Sequence, residues 1–224
     1  MKTSNILLTC LLAVTLLFIV GSNLVLKAEF DKIDRKDAFY GYKQETVKPF
    51  NYVKLQGKQI GITQIQPGTS YEIRYNKDRA LFDWKVIGDT LEITYKRTWN
   101  EQPNQHDNLN YKPAVYILAP QISGVTAEKT TSIIKGWKNQ NMIIKQSGNV
   151  MLLTDNTIHD LSASLTEGGN MKIDSNNRIE NANAQVKDSS SLSTDKNIFK
   201  SFQAHVDSTG HITLPGDLYR KALK

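Results

Sequence analysis

A repeat of about 21 residues in the carboxyl-terminal half constrains the fold of this chain more than any other feature. Residues 140 to 214, read as successive segments, place Ile144, Leu165, Val186 and Val206 in one apolar column and Val150, Met171, Leu192 and Ile212 in another, both at steps of 21, 21 and 20. Met142, Ala163, Ala184 and Ala204 form a third column, and Leu152, Ile173, Thr194 and Leu214 a fourth, at the same steps. The connecting segments keep the interval through Trp137, Ile158, Ile179 and Phe199. A fixed period in this range is the signature of stacked supersecondary units.

Within one repeat the apolar residues stand two apart, which is strand periodicity, and a small polar turn separates the two pairs: Ser147-Gly148-Asn149, Gly168-Gly169-Asn170, Ser189-Ser190-Ser191, Thr209-Gly210-His211. No repeat sustains apolar spacing of three and four over the length of a helix, and its Gly, Ser and Asn content opposes one. The pattern therefore predicts a parallel β-solenoid, with like side chains stacked coil on coil roughly 4.8 Å apart. One coil alone cannot bury its inward side chains; a stack of four or five makes a continuous core.

The full chain of 224 residues reads as five segments: a membrane anchor or signal segment at 1–26, a juxtamembrane linker at 27–50, an antiparallel β cap at 51–119, the solenoid at 120–214 and a tail at 215–224. Residues 6 to 26 are apolar, flanked by Lys2 and Lys27, and reach across about 30 Å of hydrocarbon as a helix. A short basic start and Val20-Gly21-Ser22 also fit a secretory signal cleaved near Ser22, but the apolar run resumes in Leu24-Val25-Leu26 and favours an uncleaved anchor. The expected topology is single-pass, with a short cytoplasmic amino terminus and an exported body. Cys10, the one cysteine, lies inside the apolar run and has no disulfide partner, so packing alone must hold the exported part.

In the linker, Phe39, Tyr40 and Tyr42 are candidates for docking onto the body. From residue 51, alternating segments at 52–55, 60–65, 71–75 and 91–95, with turns at Pro67-Gly68 and Gly88-Asp89, predict an antiparallel meander. Arg97 to Lys112 reads as a polar loop and Ala114 to Ala119 as a strand. Val125, Ala127 and Ile133 suggest an irregular first coil 17 residues ahead of Met142, Ile144 and Val150. The meander would then cover the first edge of the solenoid, which otherwise offers unpaired backbone groups to any strand.

The opening strands FNYVKLQGKQIGITQIQPGTSYEI, the strand GDTLEITYKR, the VYILAP strand and the recurrent Ser-Gly-Asn or Gly-Gly-Asn turns resemble the auto-transporter adhesin head domains of the GIN type, an exported bacterial family common in Bacteroidetes. The resemblance covers about Phe50 to Leu214. It implies a right-handed β-helix at a cell envelope, with an adhesin role. Ser189-Ser190-Ser191, which lacks glycine, and the polar insertion around Asn100 to Asn110 depart from the pattern.

The sequence assigns no catalytic, cofactor-binding or metal-ligating residue, and no cofactor. His106, His159, His205 and His211 are not spaced with other ligands as a metal site requires, and no Gly-x-Ser-x-Gly or phosphate-binding glycine loop occurs. Glu167 and Asp188 occupy equivalent positions one coil apart, as do Asp174 and Asp195, and a separation of about 5 Å would match the paired carboxylates of retaining glycosidases. Acids beside strands more commonly face water at turns. The net charge of +6 is spread evenly, with 15 basic against 12 acidic residues from 27 to 119 and 12 against 10 from 120 to 224, which opposes nucleic-acid binding. The expectation is a non-catalytic envelope binding module for a protein or glycan. The alternatives are a carbohydrate-active enzyme using Glu167 and Asp188, and a structural protein that self-associates through its solenoid ends.

Overall fold

The computed structural model describes residues 3–32, 37–57, 61–76, 82–96 and 109–222, and the chain separates into two compact units, Met1–Gly41 and Tyr42–Lys224. The first unit contains helix α1 (Thr3–Asp31), whose length and apolar composition suffice to cross a membrane, a test that a signal sequence also meets. Within its apolar stretch Thr9, Thr15, Ser22 and Asn23 donate to the carbonyls of Asn5, Leu11, Phe18 and Ile19, one turn back. That pattern suits an apolar surrounding, where polar groups must be satisfied internally. Cys10 lies on this helix, unpaired. Lys2, the expected amino-terminal flank, is outside the described residues.

The second unit holds seventeen described strands. They are β1 (Lys43–Thr46), β2 (Tyr52–Gly57), β3 (Thr63–Pro67), β4 (Glu72–Tyr75), β5 (Phe82–Ile87), β6 (Thr90–Tyr95), β7 (Val115–Ala119), β8 (Gly124–Glu128) and β9 (Ser132–Lys135). The regular array follows as β10 (Lys138–Ser147), β11 (Val150–Thr154), β12 (Thr157–Thr166), β13 (Asn170–Ile173), β14 (Arg178–Val186), β15 (Ser191–Thr194), β16 (Phe199–Val206) and β17 (His211–Thr213), closed by helix α2 (Gly216–Ala222). One sheet has the order β1-β4-β7-β3-β9-β11-β13-β15-β17 and the other β5-β6-β2-β8-β10-β12-β14-β16. From β8 onward each coil gives one strand to each sheet, and neighbouring coils pair in parallel. This is the β-solenoid that the repeat predicted.

The columns shift in the first coils. Ile144 stands against Ala163, not Leu165, and the place beside Leu165 belongs to Gln146. Met151 and Leu153, rather than Val150 and Leu152, stack on Met171 and Ile173. Asn139, not Trp137, stands beside Ile158. From β12 onward the anticipated columns hold, as in Leu165, Val186, Val206 and Ala163, Ala184, Ala204. Likewise Val125 lies 19 residues, not 17, ahead of its partner Ile144, and Ile133 lies 19 ahead of Leu152. The physical cause is at both corners: two residues separate β10 from β11 but three separate β12 from β13, and two separate β11 from β12 but four separate β13 from β14, so the step rises from 19 through 20 to 21. Gln146 concealed the shorter period because it is a polar residue in an inward column. It is 1% exposed, and its amide donates to the carbonyls of Gly148 and Thr130.

The cap contains antiparallel pairs, β4 with both β1 and β7, and β5 with β6. The strands β2 and β3, expected in the meander, instead join the stack in parallel. β2 lies between β6 and β8, and β3 lies between β7 and β9. Alternation within a strand cannot distinguish these pairings, because the partners are far apart in sequence. Ile60, and the polar loop from Arg97 as far as residue 108, are outside the described residues. Glu45 ties the cap together, its carboxylate accepting from Tyr75 Oη at 2.7 Å and Trp84 Nε1 at 3.0 Å. Of the linker aromatics, Tyr42 sets its ring edge-on to Tyr116 at 5.3 Å, while Tyr40 is exposed.

One core fills the space between the sheets. Its inward residues include Val53, Val125, Ile144, Ala163 and Ala184 from one sheet and Ile65, Ile134, Leu153 and Ile173 from the other, all buried. Trp137 is buried at a corner with its indole N–H donating to the Ile65 carbonyl. The last coil has no successor, so inward-column Val206 is 38% exposed, and α2 buries Leu218 at that end.

Candidate functional site

Period-two alternation sends every second residue of β10, β12, β14 and β16 outward, and parallel stacking aligns them into rows across the coils. One row reads Asn141, Asp160, Asn181, Ser201; the next Ile143, Ser162, Asn183, Gln203; the third Lys145, Ser164, Gln185, His205. The first two rows line a groove of about 650 Å³. Ile143 is 45% exposed within it, an apolar residue surrounded by amides and hydroxyls.

The groove ends at a corner. Gln140, His159, Glu180 and Lys200 drop out of the register, and Ile158 and Leu161 are both buried with two residues between them, so the alternation slips by one. The side chains released there form a polar network. Asp160 accepts from His159 Nδ1 at 2.8 Å and from Asn181 Nδ2 at 2.8 Å. These two bonds, that of Asn181 foremost, hold the Asp160 carboxyl below its ordinary range. Glu180 is likewise lowered, chiefly by its 2.8 Å bond to Lys200, and stands 3.4 Å from His159 Nε2.

A second groove of about 690 Å³ lies toward the other end of the same strands, lined among others by Glu128, Lys129, Lys145, Ser147, Thr166 and Glu167. Glu167 and Asp188 occupy equivalent turn positions, as the repeat implied, both with left-handed backbone at φ 52° and 54°. Their surroundings differ. The Glu167 carboxylate accepts from Ser147 Oγ at 2.8 Å, while the Asp188 carbonyl accepts from Gly168 N–H and its own N–H donates to Asp207 at 2.9 Å. Asp207 is lowered to about 2, first by the Asp188 N–H and next by the Thr209 N–H. The other pair is also divided: Asp174 accepts from Thr154 and Ser175, and Asp195 pairs with Lys172 at 3.2 Å.

Among the described residues no three His, Cys, Asp or Glu side chains gather as a metal site would require. His205 faces outward on β16, and His211, expected in a turn, is the first residue of β17. His106 is outside the described residues. The rows around Ile143 are not evident from sequence, because amides and hydroxyls on strands carry no catalytic or metal-ligating signature. The signal lies in the outward positions Asn141, Asn181 and Asn183, which alternate with the buried Met142, Ala182 and Ala184.

No family model matches the sequence, and no curated protein does. Among solved structures, a protein from Bacteroides fragilis provisionally named an adhesin matches at TM-score 0.51 and 15% identity, covering 77% of this chain and 95% of that chain. A protein from Parabacteroides distasonis provisionally named lipid binding gives 0.39 at 13% identity over 74% and 77%. One from Clostridium sporogenes provisionally named a cell adhesion protein gives 0.32 at 10% over 77% and 96%. At such identities the first of these likenesses speaks for the fold: this chain has the fold of the Bacteroides fragilis protein.

Proposed function

We propose that this protein is an exported, non-catalytic binding module of a bacterial cell envelope, held at a membrane by α1 and akin to the GIN-type adhesin heads its sequence resembles. One observation carries the reading: the outward rows of the second sheet form an ordered amide and hydroxyl surface around Ile143, built on a rigid stack. Binding sites on regular elements are held more firmly than sites on loops. Two further points support it. The Glu167 carboxylate is engaged by the Ser147 hydroxyl of the preceding coil, and the adhesin name of the Bacteroides fragilis protein belongs to a chain of the same fold.

The test is adhesion by non-adherent cells expressing the full chain. Those cells are expected to attach to a protein- or glycan-coated surface, to lose their exposed body to external protease, and to show no cleavage across a polysaccharide panel. Polysaccharide cleavage that disappears in Glu167→Ala or Asp188→Ala would overturn the non-catalytic reading, and protection of the body in intact cells would overturn export.

A further inference from the structure

The chemistry of the groove on the second sheet names a ligand class, and this inference rests on the binding-module reading. We infer that the groove binds a neutral polysaccharide, laid along the solenoid axis between the row that begins at Asn141 and the row that begins at Ile143.

Four observations lead there. The first is spacing: the rungs recur about every 4.8 Å, close to the length of one sugar ring, so successive sugars meet successive coils. The second is hydrogen-bonding character. Asn141, Asn181, Asn183 and Gln203 each offer donor and acceptor atoms from one planar group, and sugar hydroxyls are themselves both donors and acceptors.

The third is charge. No Lys or Arg lines the groove, and its one carboxylate, Asp160, is held by His159 and Asn181. An anionic chain would find no cation there, whereas a neutral one has nothing to neutralise. The Asn181 bond also fixes the direction of that amide before any ligand arrives, which lowers the ordering cost of binding.

The fourth is an apolar platform beside the amides. Tyr52 lies on the same outer face at the place of Gly124, adjacent to Ile143. A Cβ at position 124 would come within 2.6 Å of the Tyr52 ring and 2.5 Å of the Ile143 carbonyl, so the glycine is what lets the ring lie down on the sheet. Tyr52 Oη is fixed by Thr126 Oγ1 at 2.9 Å. An aromatic ring and an exposed aliphatic side chain suit the apolar face of a sugar ring. A protein partner would want a larger desolvated apolar centre, whereas beyond Tyr52 and Ile143 the outward residues here are amides, hydroxyls and one carboxylate.

The experiment uses the full chain in a detergent without a sugar headgroup, titrated calorimetrically with neutral β-glucan, mannan and xylan, and with pectate as the acidic probe. One neutral polymer is expected to bind, with at least a tenfold loss in Asn183→Ala and in Tyr52→Ala and no loss in Lys172→Ala on the opposite sheet. Unchanged thermal unfolding certifies the variants. Should Tyr52→Ala unfold, Asn183→Ala together with Ile143→Asp carries the test. Neutral-polymer binding indifferent to the groove variants, pectate binding at the groove, or a protein ligand displaced by Asn183→Ala would each overturn the inference while leaving the binding module standing. Cells that adhere to no surface at all would instead remove the module reading on which it rests.

Discussion

Each coil turns twice between the sheets, and the two corners use different means. At the corner after β10, β12 and β14 the chain reverses through consecutive left-handed residues: Gly148 and Asn149, Glu167 and Gly168, Asp188 and Ser189, with φ between 52° and 72°. These corners face water, and their side chains vary. At the corner after β11 and β13 a buried asparagine does the work. Asn156, 1% exposed, accepts from Trp137 N–H at 2.9 Å and donates to the Ile134 carbonyl and to Asn177. Asn177 in turn donates to the carbonyls of Leu153 and Asp174. One corner thus relies on paired left-handed residues, with varied side chains such as Glu167 and Asp207 bridging coils at its surface, whereas the other has one left-handed residue, Asp155, and a buried asparagine that replaces missing ladder bonds. The exposed corner tolerates sequence change at the cost of strain; the buried one depends on a single residue type.

The strongest challenge to this contrast is Asn156→Ala. It removes the partners of two buried backbone groups, the Trp137 N–H and the Ile134 carbonyl, and at roughly 1–3 kcal/mol for each unsatisfied group the loss should be about 4 kcal/mol in chemical denaturation. A loss below about 1 kcal/mol would show that the asparagine ladder is decoration. At the exposed corner Gly168→Ala meets no atom within 4 Å, so only its φ of +72° opposes the change. The expected cost is about 1–2 kcal/mol, from the left-handed conformation alone. Ser189→Gly should act in the opposite sense, because a non-glycine residue at φ 58° is relieved. A gain of about 1 kcal/mol, seen as a raised midpoint, is expected.

The smallest effect is one of pH. The folded Asp207 carboxyl lies at about 2, below the ordinary 3.8, so its contribution is present above that ordinary value and is lost as pH falls from there through 2. Acid titration of Asp207→Asn against the parent should therefore show a difference confined to that window. A difference that persists unchanged into strong acid would mean that Asp207 acts only by shape.

How much of this was legible depends on which atoms each feature uses. The solenoid was, because stacking forces like side chains into register and leaves the period in Leu165, Val186 and Val206. The alignment of the first coils was not. VMLLT is apolar at every one of its first four positions, so a period of two fits either phase, and Gln146 put a polar residue where an apolar one was expected. The turns around Glu167 and Asp188 were placed correctly, but their hydrogen bonds come from Ser147 and Asp207, twenty and nineteen residues away. Asn156, Asn177 and Asn197 recur at 21 and 20, a signal as regular as the core columns. It was overlooked because asparagine between strands reads as an ordinary turn residue. The Tyr52 platform needs β2 beside β8, a pairing that alternation within either strand cannot reveal.

The position of β2 and β3 between strands that come later in the chain has a consequence for assembly. The earliest coil to be synthesised is flanked on one side by residues 90–119 and on the other by residues 124–135, so both its faces wait for partners well downstream in the chain. Those contacts close longer loops than the pairings of the later coils, whose partners lie 19 to 21 residues apart, so their loop-closure entropy is greater. Once the central coils have closed, each further turn needs only the one before it. The one ladder thus joins long-range contacts at its capped end to near-neighbour contacts at its carboxyl-terminal end.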